Sequence, residues 1–391
     1  MPKPSVPPAL VTDWAHVLAL RLARHHLTER TTPDRLIDVV GEMVGLHAQV
    51  MSSAELQAAA RIDGLRPGDV RDALADERSL VKAWSFRGTL HLLTPDDVAD
   101  FVAASPTRER WREDVWLRYA EMTHEEAERL IRSVGDILTD VPMTRADLAD
   151  AVADRMADPT FATRLRTGWG SYLGCPAQRG ELIFGPNDGR NVTFVHPSAW
   201  LDRPISLAER PDAGEPLDAL AAMIARFLAT FPGSSRDMIG RWWGAARAGI
   251  VNDALQRLPV DVSEVEVDGV RTWVRTADLG DLAEAEPFRG VRLLPGFDPF
   301  TNELPRRVDS VLPVAHHDDV YRTAGWVTPL VLVDGRIGGT WEIGGSAKRG
   351  VVTVTRWSSW TRAARSELDA EVDRVAAFLD RPLAIEIAEI V

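Results

Sequence analysis

Three stretches of this chain repeat one order of elements, and that repetition limits what the chain can fold into more than any single motif does. Each stretch predicts two or three short helices followed by a two-stranded hairpin. In the first, Pro33–Leu46, Ala54–Ile62 and Pro67–Ala75 read as helices, and Leu80–Trp84 with Gly88–Leu93 as the hairpin. In the second, helical Glu125–Leu138, Arg145–Ala153 and Thr163–Tyr172 precede Glu181–Phe184 and Val192–His196. The third runs Pro216–Phe231, Ser235–Trp243 and Ala245–Leu258, then Val262–Val267 and Thr272–Thr276.

Helices followed by a hairpin in this order make a helix-turn-helix with a β-wing, a unit that contacts nucleic acid through helix and hairpin. Composition permits several such units: 391 residues suffice for two to four compact cores, and 45% hydrophobic content with mixed charge suits a folded, soluble chain. No apolar run reaches the ~20 residues of a membrane span. Met1–Leu10 is Pro-rich without an apolar signal core, so a cytoplasmic protein is expected. The single cysteine, Cys175, excludes an internal disulfide and a cysteine metal cage.

A net charge of −13 argues against binding phosphates, but the charge is unevenly spread. Residues 343–366 carry Lys348, Arg349, Arg356, Arg362 and Arg365 with no acid, a local charge of +5. Residues 163–179 carry Arg164, Arg166 and Arg179, again with no acid. Acid gathers in Asp278–Glu286 and Glu367–Asp373, compatible with a basic face on an acidic protein. The chain has three lysines, Lys3, Lys82 and Lys348; its arginine bias reflects base composition more than selection for phosphate.

Val11–Glu29 has the apolar spacing of an amphipathic helix. After Glu286, short β-branched stretches (Val291–Leu294, Trp326–Val333, Gly338–Ile343, Val351–Arg356) read as strands, with Asp334-Gly335 as a hairpin turn. Ser366–Leu379 reads as a helix and Leu383–Ile390 as a last strand.

Four stretches hold residues suited to chemistry or contact. Gly45-Leu46-His47-Ala48-Gln49 closes the first long helix. His47 and Gln49 share a side only on extended backbone, since on a helix they would lie ~200° apart, so a common task requires the helix to end at Gly45. The plainer reading makes His47 a helix cap. In the returning half of the first hairpin, alternation puts Arg87, Thr89 and His91 on one face, fit for a nucleic-acid backbone or for solvent. Leu293–Phe300 reads as a structural turn around Asp298-Pro299. Gly344–Gly350 is a basic loop, either an exposed hairpin tip or an insertion against DNA. His316-His317-Asp318-Asp319 is a weak metal candidate, and no P-loop, HExxH or GxSxG is present.

In order along the chain, Gly45–Gln49, Arg87–Leu92, Leu293–Pro299 and Gly338–Trp341 together resemble the bacterial AlkZ/YcaQ-type DNA glycosylases of the helix-turn-helix 42 superfamily. The resemblance implies an α+β chain of three tandem winged helices plus a C-terminal β-rich, barrel-like module, C-shaped around DNA. The segments would be 1–115, 116–205, 206–286 and 287–391. It implies a monofunctional glycosylase, acting as a monomer without metal or cofactor, that excises bulky N7-alkylated purines from double-stranded DNA. Natural-product adducts, crosslinks and self-resistance come with that family. The family motif is Gln-apolar-Gln or Gln-apolar-Asp; Gln49 matches its second position and His47 stands at the first. The expected site is then His47 and Gln49 as catalytic residues, with Arg87, Thr89, His91, Arg164, Arg166, Lys348, Arg349 and Arg356 on DNA. An N7-alkylguanine is cationic and leaves readily, so neutral amide and imidazole groups placing a water suffice. Full flipping of so bulky a base is not required. The rival expectation is a tandem winged-helix transcriptional regulator, which would prefer a duplex sequence and ignore lesions.

Overall fold

The computed structural model describes residues 7–244, 248–306, 308–346 and 349–389. The chain is a mixed α+β protein that divides into two compact units. One comprises Met1–Asp69, Ala225–Ile239 and Val260–Val391; the other comprises Val70–Ile224 and Gly240–Pro259.

The first unit opens with a strand where the sequence predicts the start of a helix. Leu10–Thr12 pairs in parallel with Val262–Val267, and the helix runs only over Trp14–Arg24. Asp13 decides the boundary: its backbone is extended and its carboxylate accepts from the His16 amide, a side-chain N-cap. The other end closes at His26, left-handed at φ +53, with the His26 amide bonded to the Ala23 carbonyl and the Leu27 amide to the Leu22 carbonyl. Trp14, Val17, Leu18 and Leu22 pack on Val265, Val267 and Val274 of the third hairpin, Val262–Val267 with Val270–Arg275. That core continues onto Leu294, Leu330, Leu332 and Ile337.

These last residues belong to a five-stranded C-terminal sheet ordered Val291–Leu294, Leu330–Val333, Arg336–Ser346, Arg349–Arg356 and Leu383–Glu389. The last pair is parallel and the others antiparallel. The expected turn at Asp334-Gly335 forms, both residues having positive φ, as a two-residue hairpin turn needs. Helix Arg362–Phe378 covers one sheet face through Leu368 and Val372, which meet Val331, Trp341, Val352 and Val354. The two outer strands do not pair with each other, so the module is an open sheet and not a closed barrel.

In the second unit the first and second hairpins share one sheet. Val81–Trp84 pairs with Leu90–Leu93 on one side and touches the second hairpin on the other, Lys82 opposite Phe184. The second hairpin is Ile183–Asp188 with Asn191–Val195, whose outer edge takes Met143–Thr144. Helices His124–Ile137, Arg145–Met156 and Thr160–Gln178 pack on it around Leu130, Val134, Leu148, Val152, Phe161 and Leu173. Two helices that the sequence reading passes over are also present, Pro95–Ala104 and Asp114–Ala120. The first carries a reciprocal Thr94–Asp97 capping box at its start.

Candidate active site and nucleic-acid contacts

The Gly45–Gln49 motif does leave the helix. Helix Leu36–Glu42 ends with the Val44 amide on the Gly41 carbonyl and the Gly45 amide on the Val40 carbonyl. The left-handed position falls on Val44, φ +52, with Gly45 following at φ +95. A β-branched residue at positive φ is strained by ~1–3 kcal/mol, and the strain sits on the residue immediately before the motif. Leu46–His47 is then a short strand, and Gln49, two residues on, is exposed.

His47 is only 5% exposed. Its ring lies flat on Phe297, centroids 4.5 Å apart and planes 9° apart. Its carbonyl accepts from Gln57 Nε2 at 3.1 Å, and the same amide reaches the Gly296 carbonyl at 3.3 Å. Ser53 Oγ also donates to the Gly296 carbonyl. The supposed structural turn at Leu293–Phe300 is therefore one wall of the motif. It is itself held from several directions. Trp341 Nε1 donates to the Leu294 carbonyl at 2.9 Å, the Phe297 amide bonds the Val327 carbonyl, and Asn302 Nδ2 bonds the Phe297 carbonyl at 2.8 Å. Phe297 is left-handed at φ +59, a backbone state these contacts must enforce.

Beneath the loop lies a buried ion pair. Arg61 holds Asp298 with two bonds of 2.8 Å, both side chains fully buried. Asp298 also accepts from the Phe300 amide, and Arg61 Nη1 donates to the Gln57 carbonyl at 2.9 Å. Arg61 Nη2 lies 3.3 Å from His25 Nδ1. Burial first, then the Arg61 and Arg21 charges, push the His25 pKa well below the usual imidazole value, so His25 is neutral and accepts from Arg61.

Ser53, Gln57 and Arg61 were not singled out from the sequence, although the signal is there. They recur every four residues along an Ala-rich helix, Met51–Ala59, and its C-terminal turn, a polar stripe on one face. Phe297 had no such signal, because its partner lies far off in the chain.

The expected nucleic-acid residues are scattered. Arg87 sits in the turn Phe86–Gly88 at φ +57, half-buried. Thr89 Oγ1 bonds the Phe86 carbonyl at 3.1 Å. His91 does not lie on a solvated face: it is 3% exposed, with Nδ1 2.9 Å from Ser85 Oγ. The whole returning strand Leu90–Leu93 is buried, so the alternation of polar and apolar faces fails there. Arg164 Nη1 bonds the Glu121 carbonyl and its guanidinium lies over Phe161. Arg166 pairs with Asp150 and Arg179 with Glu109, which neutralises part of that basic stretch. Arg349 is exposed next to the turn of the long hairpin Arg336–Arg356, opposite Ser346, and Arg356 is half-buried at the open end. Lys348 lies outside the described residues. His316 pairs with Asp319 and stacks on Trp357, while His317 pairs with Asp318. Burial lowers the pKa of Lys82.

The family model described as DNA glycosylase AlkZ-like matches residues 40–378. A Streptomyces sahachiroi protein named interstrand DNA cross-link repair glycosylase is 34% identical over 336 residues, covering 85% of this chain and 88% of that protein. The solved structure of Streptomyces sahachiroi DNA glycosylase AlkZ is similar with a TM-score of 0.87 at 30% identity, covering 97% of this chain and 100% of that one. The chain belongs to the AlkZ-like DNA glycosylase family and is an enzyme acting on N-glycosyl bonds in DNA repair.

Proposed function

We propose that this glycosylase hydrolyses the N-glycosidic bond of bulky N7-alkylated purines in duplex DNA, with His47 and Gln49 placing the attacking water. The observation that carries this reading is the fixed His47 ring, flat on Phe297 with its main chain held by Gln57, beside an exposed Gln49. An imidazole in its neutral form and an amide can together orient a water and face positive charge growing on the deoxyribose without repelling it. In the step, water oxygen bonds C1′ as the C1′–N9 bond breaks. The bonding pair goes to the cationic base, which leaves neutral, and the water's second proton is released to solvent. No amine is consumed in this scheme, in keeping with a monofunctional enzyme. The name of the Streptomyces sahachiroi relative extends the proposal to crosslinks.

In this reading the three helix-and-hairpin repeats act as winged helices, within the segments 1–115, 116–205 and 206–286, and 287–391 presents the long hairpin to DNA. Arg87, Thr89, Arg164, Arg166, Lys348, Arg349 and Arg356 contribute contacts to phosphate or groove, while His91 supports the first hairpin from inside. The protein works as a cytoplasmic monomer, and removal of natural-product adducts would protect a producer of such agents. Among the described residues no helix is long and apolar enough to cross a membrane. The test is incubation with a duplex bearing one N7-alkylguanine, then alkaline strand cleavage. Cleavage at the lesion and none in unmodified duplex is expected. Binding to a preferred duplex sequence with no abasic product from any alkylated substrate would replace the enzyme by a regulator.

A further inference from the structure

Beside the His47–Phe297 stack lies a groove of about 530 Å³ that the hydrolytic scheme leaves unused. Its floor is part of the C-terminal sheet face turned away from helix Arg362–Phe378, where Thr340 stands directly opposite Thr355 and Glu342 opposite Thr353. Two indoles wall it. Trp326 is 45% exposed, unusual for the largest apolar side chain, and its ring meets Phe297 edge-on at 5.0 Å. Trp326 thus stands one ring beyond the one that carries His47. Trp357 is half-buried and held by His316, stacked at 4.1 Å and 5°. Its indole N–H is buried with no hydrogen-bond partner among the described residues.

Local backbone holds Trp326 in place. The Arg322 amide bonds the Trp326 carbonyl at 2.9 Å, and the intervening turn uses left-handed Ala324 and Gly325. Arg322 lines the same groove, exposed and without an ion-pair partner among the described residues. Such a lining is specific in its chemistry. Exposed indole offers a π-face, threonine hydroxyls and a guanidinium offer donors, and an unpartnered N–H asks for an acceptor. A planar, oxygen-bearing aromatic group satisfies all of these, whereas a methyl group satisfies none.

We infer that this groove is the subsite for an aromatic substituent carried on N7 of the damaged guanine, with Trp326 as the residue that selects for it. The inference rests on the proposed excision reaction. N7 and the glycosidic N9 share one five-membered ring, so a base whose C1′ lies near His47 carries its N7 substituent close by, and Trp326, in edge contact with Phe297, is an exposed ring within reach of it.

The experiment compares two duplexes that differ only in the lesion, N7-methylguanine and N7-(naphthylmethyl)guanine. Single-turnover excision and equilibrium binding are measured for the wild type, Trp326→Ala and Trp326→Phe. Loss of one stacking partner costs roughly fivefold to a hundredfold in binding. The naphthylmethyl-to-methyl preference should therefore fall about tenfold or more in Trp326→Ala and be largely restored in Trp326→Phe. An unchanged preference overturns the subsite. So does an equal loss on both lesions, which would mean that Trp326 serves the base or supports Phe297. A wild type that excises neither lesion refutes the reaction instead, and the subsite is then decided by binding: an equal affinity for both duplexes overturns it, and a naphthylmethyl preference lost in Trp326→Ala sustains it.

Discussion

The protein holds two histidines in short extended segments, His47 and His91, and it holds them in opposite ways. His91 lies in a strand buried along its whole length, with its ring satisfied two strands' turn away by Ser85. His47 is buried too, but its neighbour Gln49 is exposed, its ring is laid against Phe297, and its carbonyl is held by Gln57 from another helix. The contacts of the His91 ring with Ser85, Phe86 and Thr89 are local in sequence and lie within the hairpin. The His47 ring reaches across the chain to Phe297, and the Gln57 amide that holds its carbonyl also reaches the Gly296 carbonyl. Long-range anchoring around a partly open segment is the support that the catalytic role proposed for His47 requires, and His91 needs none of it to pack.

That contrast can be broken at its foundation. Asp298→Ala leaves Arg61 as a buried charge without its bidentate partner, so stability should fall by ~3–5 kcal/mol, read as a lower midpoint in urea. A loss under ~1 kcal/mol would show that the loop does not depend on the pair. A second comparison sharpens it. Gln57→Ala removes the amide shared by the His47 and Gly296 carbonyls, and Ser85→Ala removes the hydroxyl beside His91. Each should cost ~1–3 kcal/mol of stability, but only Gln57→Ala should lower excision by the folded enzyme. Equal excision by both variants would erase the distinction.

The pH dependence probes the same support. His25 is held neutral, so the unfolded state binds a proton that the folded state does not. The resulting stability is present above the ordinary imidazole pKa and is lost as pH falls below about 6.5, at ~1.4 kcal/mol per pH unit. His25→Asn, which keeps an acceptor toward Arg61, should flatten the stability profile between about pH 6.5 and 5; a profile identical to wild type would refute the assignment. The smallest expected effect concerns the long hairpin. Lys348→Ala with Arg349→Ala should weaken binding to all duplexes and reduce the salt slope by about 2, against no change if the tip stands clear of DNA.

Much of the local structure was legible because its causes are local. Asp334-Gly335 names its own turn, and β-branched alternation finds the strands around it. Gly45 marks the end of the helix, although the left-handed residue proves to be Val44. The first helix was misread because Leu10–Thr12 takes a partner at Val265–Val267, which no window of sequence contains. Phe297 against His47 and Asp298 against Arg61 fail to show for the same reason, whereas Ser53, Gln57 and Arg61 were readable as a stripe. Alternation over Arg87–His91 misplaced the strand, since Arg87 falls in the left-handed turn before it, and could not say that both faces of Leu90–Leu93 would be covered.

The most direct test of the central claim is the excision rate on one N7-alkylguanine duplex for Gln49→Ala, His47→Ala and His47→Gln, with lesion binding and folding checked in each. Positioned hydrogen-bonding groups of this kind contribute ~10²–10⁴-fold. Gln49→Ala and His47→Ala should fall by at least the lower end of that range while still binding the lesion, and His47→Gln, which keeps a neutral hydrogen-bonding group beside Phe297, should remain active. Wild-type rates in Gln49→Ala, or complete loss in a folded, lesion-binding His47→Gln, would contradict the account.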